Sequence, residues 1–467
     1  MTNTTSTARQ VSTGKVSFLS QIYIISLIFE SLLFFIIGSQ FSTGFSITIG
    51  KMLQILVFIL LIFYWSKKKT ALQVINLLHP NYRYFIFFFL LAVSAAIVGI
   101  ISGSYLLESS YKSDYAATFL ARVVRSASFR PFIEYLIIIY YFLYFVILPY
   151  FLIRNSASVR YFFSLFKKAF LACLIVGFAD LVLQLVGLQV LPRDMWEGRM
   201  VGFRFHGLAG EPRDAFVYLF FALGIMNLKS FWEEQTSISR SWILIVIIGA
   251  LLTQSGSGLI GIVFALTLFI LYSFGKFTLK KILLILVISI LGVGVIALSI
   301  YSSQRLQDYI DISSLVIESL EDGTPPPLLF APQMVNVYPV WDLFVKVSEF
   351  NFLPVLFGNG FGSASIVNNN MGDDMWNELS NPHSQLIRLI YECGIIGTFF
   401  FIKSFVYPLQ RLTIGLPKSV IQMFFILTLI LIGLNLSHRS TSLFIYFGMS
   451  TSILRLYFSN EKAKKYA

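Results

Sequence analysis

The chain has 467 residues, of which 57% are hydrophobic and 12% charged, whereas a soluble domain carries about 25% charged residues. Its formal net charge is +12. This balance excludes a soluble enzyme, and with no P-loop, Rossmann fingerprint, zinc spacing or nucleic-acid motif in the chain, the charge points to membrane orientation and anion binding and not to DNA.

The polar leader MTNTTSTARQVSTGK has no small-residue cleavage site behind a short apolar core, so it reads as a retained tail before the first helix. Apolar runs then recur at the ~20-residue length that a bilayer requires. They predict about twelve spans, near 18–38, 45–66, 83–103, 131–153, 162–187, 214–228, 241–254, 258–274, 282–302, 386–406, 419–437 and 442–457. Runs such as ILVFILLIFYW lack the period-two alternation of a transmembrane barrel. The expected fold class is therefore an all-α polytopic membrane protein. Residues 1–302 would hold helices one to nine, 303–385 a large external loop, and 386–467 helices ten to twelve with the tail. Cys173 and Cys393 sit in apolar helical surroundings and read as packing residues.

Charge sorts the loops. Lys67 to Lys69, Arg154, Arg160, Lys167, Lys168, Lys229, Arg240, Lys276, Lys280, Lys281, Arg411 and Lys418 fall on one side with the tail lysines. By the positive-inside rule that side is cytoplasmic, as are both termini. The opposite side is mostly arginine, with Arg122, Arg125, Arg130, Arg193, Arg199, Arg204, Arg213, Arg305 and Arg439 against Lys51, Lys112 and Lys346. Arginine's planar fork grips phosphate with two hydrogen bonds, whereas lysine is a point charge. The outer face thus suits an anionic ligand, while salt bridges to Asp194, Glu197, Glu211 and Asp214 are the plain alternative. External segments 104–130, 188–213 and 303–385 are long, and the last is the largest soluble piece. Loops of such length usually carry function.

Four stretches hold the candidate chemistry. In GRMVGFRFHGLAGEPRDAF, residues 198–216, Arg199 and Arg204 can clamp a phosphate, with His206, Glu211 and Arg213 nearby. A charged helix entrance explains Glu211 to Asp214 equally well. In LLTQSGSGLIG, the small residues around Ser255 form either an anion-accepting nest or an ordinary helix hairpin. VLFGNGFGSAS has no following Lys-Ser/Thr, so it is no nucleotide loop and fits a close-approach turn. In NPHSQLIRLIYECGIIG, Asn381 is a good N-cap and Pro382 suits the first helical position, placing His383 in the first turn. The helix dipole there disfavours imidazolium, and a neutral ring is what a general base needs. An interfacial histidine bonded to its own loop is the competing reading.

The order of these stretches resembles the bacterial O-antigen polymerase and ligase superfamily, over roughly residues 195–400. The resemblance is most specific in the glycine cluster, the loop-end histidine and the ending Glu-Cys-Gly-Ile-Ile-Gly. It implies a C-type glycosyltransferase-like membrane fold, in the bacterial inner membrane, with its active site facing the periplasm. The implied reaction moves a glycan from undecaprenyl diphosphate to a hydroxyl with no metal and no cofactor. His383 would be the base, and Arg204 would hold the diphosphate, with Glu211 also catalytic and Arg199, Arg213, Arg305, His206 and Ser255 at the substrate. A chain-length regulator is the implied protein partner, beside the lipid bilayer and the lipid-linked glycan. Relatives often carry Ser-Arg in the hairpin where this chain has Ser255-Gly256. Three functions are expected in order: repeat-unit polymerase, ligase to lipid A–core, and lipid-linked oligosaccharide flippase.

Overall fold

A computed structural model describes residues 16–31, 36–37, 47–67, 82–105, 129–188, 205, 207–208, 212–234, 239–253, 314–315, 317–319, 321–322, 334–371, 385–413, 424, 427–428, 430–432 and 441–466. Among these residues the chain is helical. α1 is Phe18–Ser31, α2 Ile49–Lys67, α3 Arg83–Ile101 and α4 Arg130–Tyr141. α4 runs through a π-helical turn, Phe142–Ile147, into α5, Leu148–Leu152. Then follow α6 Ser156–Leu185, α7 Pro212–Trp232, α8 Arg240–Leu252, α9 Met334–Ser348, α10 Leu353–Phe357, α11 Ser363–Met371, α12 Gln385–Leu412 and α13 Thr441–Tyr466.

Five segments are long and apolar enough to cross a membrane: Arg83–Ile101, Pro131–Leu152, Ser156–Leu185, Asp214–Trp232 and Leu386–Leu412. Phe18–Glu30, Ile49–Phe63 and Arg240–Leu252 are apolar but shorter. Outward faces of α2, α3 and α6 present Ile62, Phe63, Leu90, Ile100, Ile175 and Leu185. Such faces belong against lipid, so the chain is a helical membrane protein. The expected spans at 258–274 and 282–302 lie outside the described residues, as does most of 419–437. The first expected span ends early. α1 stops at Ser31, and the β-branched pair Ile36–Ile37 is extended, pairing antiparallel with Ile47–Thr48 just ahead of α2.

Packing centres on α7, which is buried almost all round, against α13 and α8, while α13 also packs on the π turn. The π turn has a local cause. Leu148 N–H bonds Leu143 O, so the register shifts by one and Tyr144 O would next face the nitrogen of Pro149, which carries no hydrogen. Tyr23 Oη supplies the missing donor at 2.8 Å. Phe145 O, which would bond residue 149 in an α register, meets Gly448 of α13 instead. A Cβ there would lie 1.8 Å from that oxygen.

Three residues separate α5 from α6, and α6 packs on α1 and α7. Asn155 caps α6, its Oδ1 accepting from Ser158 N and Oγ at 2.8 Å. A buried polar clamp ties α1, α2 and α4: Gln54 Nε2 donates to Glu30 Oε2 at 2.9 Å, and Tyr140 Oη donates to Gln54 Oε1. Both cysteines are buried and free.

Candidate functional site

α12 breaks at Gly394, whose φ of 68° and ψ of 179° lie outside the helix. The break frees two carbonyls of the preceding turn. The glycine cluster after α10 docks there: Asn359 N donates to Tyr391 O at 2.9 Å, and Gly360 N to Glu392 O at 2.8 Å. Gly358, Gly360 and Gly362 all have φ between 82° and 90°, the left-handed region that this close approach requires. The stretch is thus a close-approach turn.

Asn359 is the hub of this junction. Its Nδ2 donates to Tyr391 O at 3.3 Å, and its Oδ1 accepts from Lys346 Nζ at 3.0 Å and from Ser104 Oγ at 2.9 Å. Lys346 also pairs with Asp342 at 2.7 Å, and Tyr391 Oη donates to the same Asp342 carboxylate at 2.7 Å. Tyr105 Oη donates to Phe361 O at 3.3 Å. Burial raises the Tyr105 phenol well above its ordinary range, and the Glu392 carboxylate and Cys393 add to that, so it stays a neutral donor. The end of α3, α9, the turn after α10 and α12 are therefore tied at one point through an amide, an ion pair and hydroxyl groups.

Beneath this junction lies a buried ion cluster. Arg388, 1% exposed, reaches Glu392 Oε1 through Nε at 3.1 Å and Glu134 Oε1 through Nη2 at 3.3 Å, and both carboxylates are 0% exposed. One guanidinium thus serves two carboxylates from two candidate spans. At 3.1 Å and an effective dielectric of about 20, each contact is worth roughly 5 kcal/mol before desolvation, and desolvation offsets most of it. Such a cluster in a membrane protein is kept for function or for a fixed geometry.

A second anchor sits near the basic loop. Phe205, 1% exposed, packs on Phe178 with ring centroids 5.0 Å apart, and its N–H donates to Leu252 O at 2.9 Å at the end of α8. Gly207 touches Gly177 of α6 so closely that a Cβ on Gly177 would lie 2.7 Å from its Cα. The end of α6 and the end of α8 thus meet at Phe205 and Gly207. The end of α3, the start of α12 and the start of α4 are joined in turn through Asn359 and Arg388.

His383, Arg204, Glu211, Arg199, Arg305, His206 and Ser255 lie outside the described residues, while Arg213 is described only as backbone in the first turn of α7. The structure describes the positions beside them: Phe205 between Arg204 and His206, Thr253 two residues before Ser255, and Arg388 five residues after His383. Sequence reasoning passed over Arg388, Lys346, Asp342 and Asn359. Two pairs among these residues and their neighbours carried a signal: Arg388–Glu392 and Asp342–Lys346 are opposite charges four residues apart in apolar helices. Neither a family model, a curated protein nor a solved structure matches the chain.

Proposed function

We propose that the chain is a polysaccharide polymerase of about twelve spans, with both termini cytoplasmic, joining undecaprenyl-diphosphate-linked repeat units at the periplasmic face of the inner membrane. His383 takes the proton from the acceptor hydroxyl of one unit. The oxygen attacks the anomeric carbon of the other, the carbon–oxygen bond to the diphosphate breaks, and undecaprenyl diphosphate leaves. Arg204, with Arg199, Arg213 or Arg305, neutralises the charge that develops on the leaving group, and such electrostatic stabilisation usually contributes more to catalysis than any other single effect. Glu211, His206 and Ser255 complete the substrate contacts. A chain-length regulator in the same membrane would set polymer size.

The observation that carries this reading is the anchoring of α12. His383 precedes a helix whose opening turns are held by a buried ion cluster and by the Asn359 junction. A general base has to be held within a few tenths of an ångström of its working position, and a rigid helix start serves that need.

The buried ions favour a second reading, a transporter, because intramembrane charge often marks a transport pathway. Their position argues against it. Glu134 is four residues into α4, and Arg388 and Glu392 are three and seven residues into α12, about 5–11 Å from the starts of those helices and short of the midplane of a ~30 Å core. The surface glycolipid of cells carrying His383→Ala or Arg204→Ala separates the readings on a gel. Polymerase loss leaves core capped by a single repeat, ligase loss leaves bare core with polymer still on the carrier lipid, and flippase loss leaves the unpolymerised unit inside. A normal ladder from both variants contradicts the site.

A further inference from the structure

α9 wears its polarity inside out. Its Asp342–Lys346 pair, 19% and 14% exposed, faces the protein, where Tyr391, Asn359 and Ser104 take up its hydrogen bonds. Its open face carries Val340, Phe344 and Val347, at helical spacing i, i+4, i+7. The turn after it continues that face with Phe350, 84% exposed, and then Phe352 and Leu353. A loop helix in water shows the reverse pattern, charge outward and phenylalanine inward. Apolar side chains gathered this way mark an interaction surface.

The location of the ridge names its occupant. α10 packs directly against α3 and α12, both membrane-crossing segments. Where α10 meets them, their own outward residues are Ile97, Ile100 and Ile101 on α3 and Ile395 and Phe399 on α12. Leu353 and Leu356 of α10 are exposed apolar residues on the element that packs against those two segments. The ridge thus lies beside the outward apolar faces of two segments fit to cross a membrane.

We propose that α9, the turn after it and α10 form an interfacial anchor, with Phe344, Val347, Phe350, Phe352, Leu353 and Leu356 seated in bilayer lipid at the boundary between headgroups and acyl chains. This part of the 303–385 segment is then a membrane-lying element and not a soluble loop, and it presses the Asn359 junction against the bilayer edge. Helices that lie in the interface divide their faces in this way, with the apolar one buried ~5–10 Å into the lipid. The proposal is independent of the glycosyl-transfer reading.

The test is fluorescence of a nitrobenzoxadiazole label on Phe344→Cys and, separately, Phe350→Cys in the full chain, in phosphatidylcholine nanodiscs holding one chain each. Native Cys173 and Cys393, 3% and 1% exposed, are shielded from the maleimide. Ser239→Cys, exposed at the start of α8 with no capping bond from its side chain, is the aqueous reference. Each labelled variant is first matched to the parent in elution and thermal unfolding, and two positions keep the test decisive if one substitution perturbs the fold. Doxyl-labelled lipid should quench both ridge labels about twofold more than the Ser239→Cys label, with iodide showing the opposite order. Ridge labels quenched by iodide and indifferent to doxyl lipid would overturn the proposal. Labels shielded from both quenchers would overturn it too, by showing that protein covers the ridge.

Discussion

Asn359 and Tyr391 are joined twice, by the Asn359 backbone N–H at 2.9 Å and by its side-chain amide at 3.3 Å, both to the carbonyl of Tyr391. That carbonyl is available because α12 is broken at Gly394. The helix break and the glycine cluster are thus one feature seen from two sides. An unbroken helix would use Tyr391 O internally and leave the docking backbone without an acceptor.

Asn359→Ala removes the side-chain half of this link and leaves Lys346 and Ser104 without their shared acceptor. Buried polar groups stripped of a partner cost about 1–3 kcal/mol. Thermal unfolding of the detergent-solubilised protein should fall for Asn359→Ala. Asn359→Asp, which keeps the acceptor for Lys346, should lie between the variant and the parent.

Arg388→Met removes the guanidinium that Glu134 and Glu392 share, both fully buried. Breaking a buried pair from one side costs about 3–5 kcal/mol. Poor yield or a sharply lowered unfolding temperature is expected. Adding Glu134→Gln and Glu392→Gln to Arg388→Met should restore part of the loss, because the two carboxylate charges are then removed together with the guanidinium. A triple variant worse than Arg388→Met would contradict the ion cluster.

Gly448→Ala drives a methyl group to within 1.8 Å of Phe145 O, which is backbone and has little room to move. α13 must shift away from the π turn, a cost of about 1–3 kcal/mol by the measure of overpacked cores. Gly187→Ala, where no atom lies within 4 Å of the new Cβ, is the comparison for crowding, although its φ of +77° adds a backbone cost. The Gly448 variant should unfold at the lower temperature of the two.

Tyr23→Phe deletes the hydroxyl that bonds Tyr144 O in place of the nitrogen of Pro149. About 1 kcal/mol should be lost, and amide exchange in the Phe142–Ile147 turn should quicken relative to α6. Unchanged exchange there would mean that the turn does not depend on Tyr23.

Much of the fold was legible because lipid-facing and core-facing helices follow hydropathy directly. The expected spans at 83–103, 131–153 and 386–406 correspond to α3, α4 to α5 and α12. The breaks were harder. Ile36–Ile37 reads as a continuing apolar run, and only its pairing with Ile47–Thr48 makes it a strand. Gly394 inside an apolar helix looks like a small packing residue, and its role depends on a loop some 35 residues upstream, as Asn359 and Gly394 show. Arg388 and Glu392 left a local mark as opposite charges four residues apart, yet the arrival of Glu134 from α4 is tertiary and leaves none. The glycine cluster was legible as a close-approach turn because its residue type leaves few other uses. His383 and Arg204 were read from residue type and order, and both lie outside the described residues.

The most direct test is reconstitution. The purified chain in proteoliposomes, given only its undecaprenyl-diphosphate-linked repeat unit, should build a ladder of longer lipid-linked glycans and release undecaprenyl diphosphate one for one with each bond formed. His383→Ala, folded as judged by its unfolding temperature, should leave the repeat unit unextended. A ladder of parental length from His383→Ala, or no chain growth from the parent while the repeat unit crosses the membrane, would contradict the account.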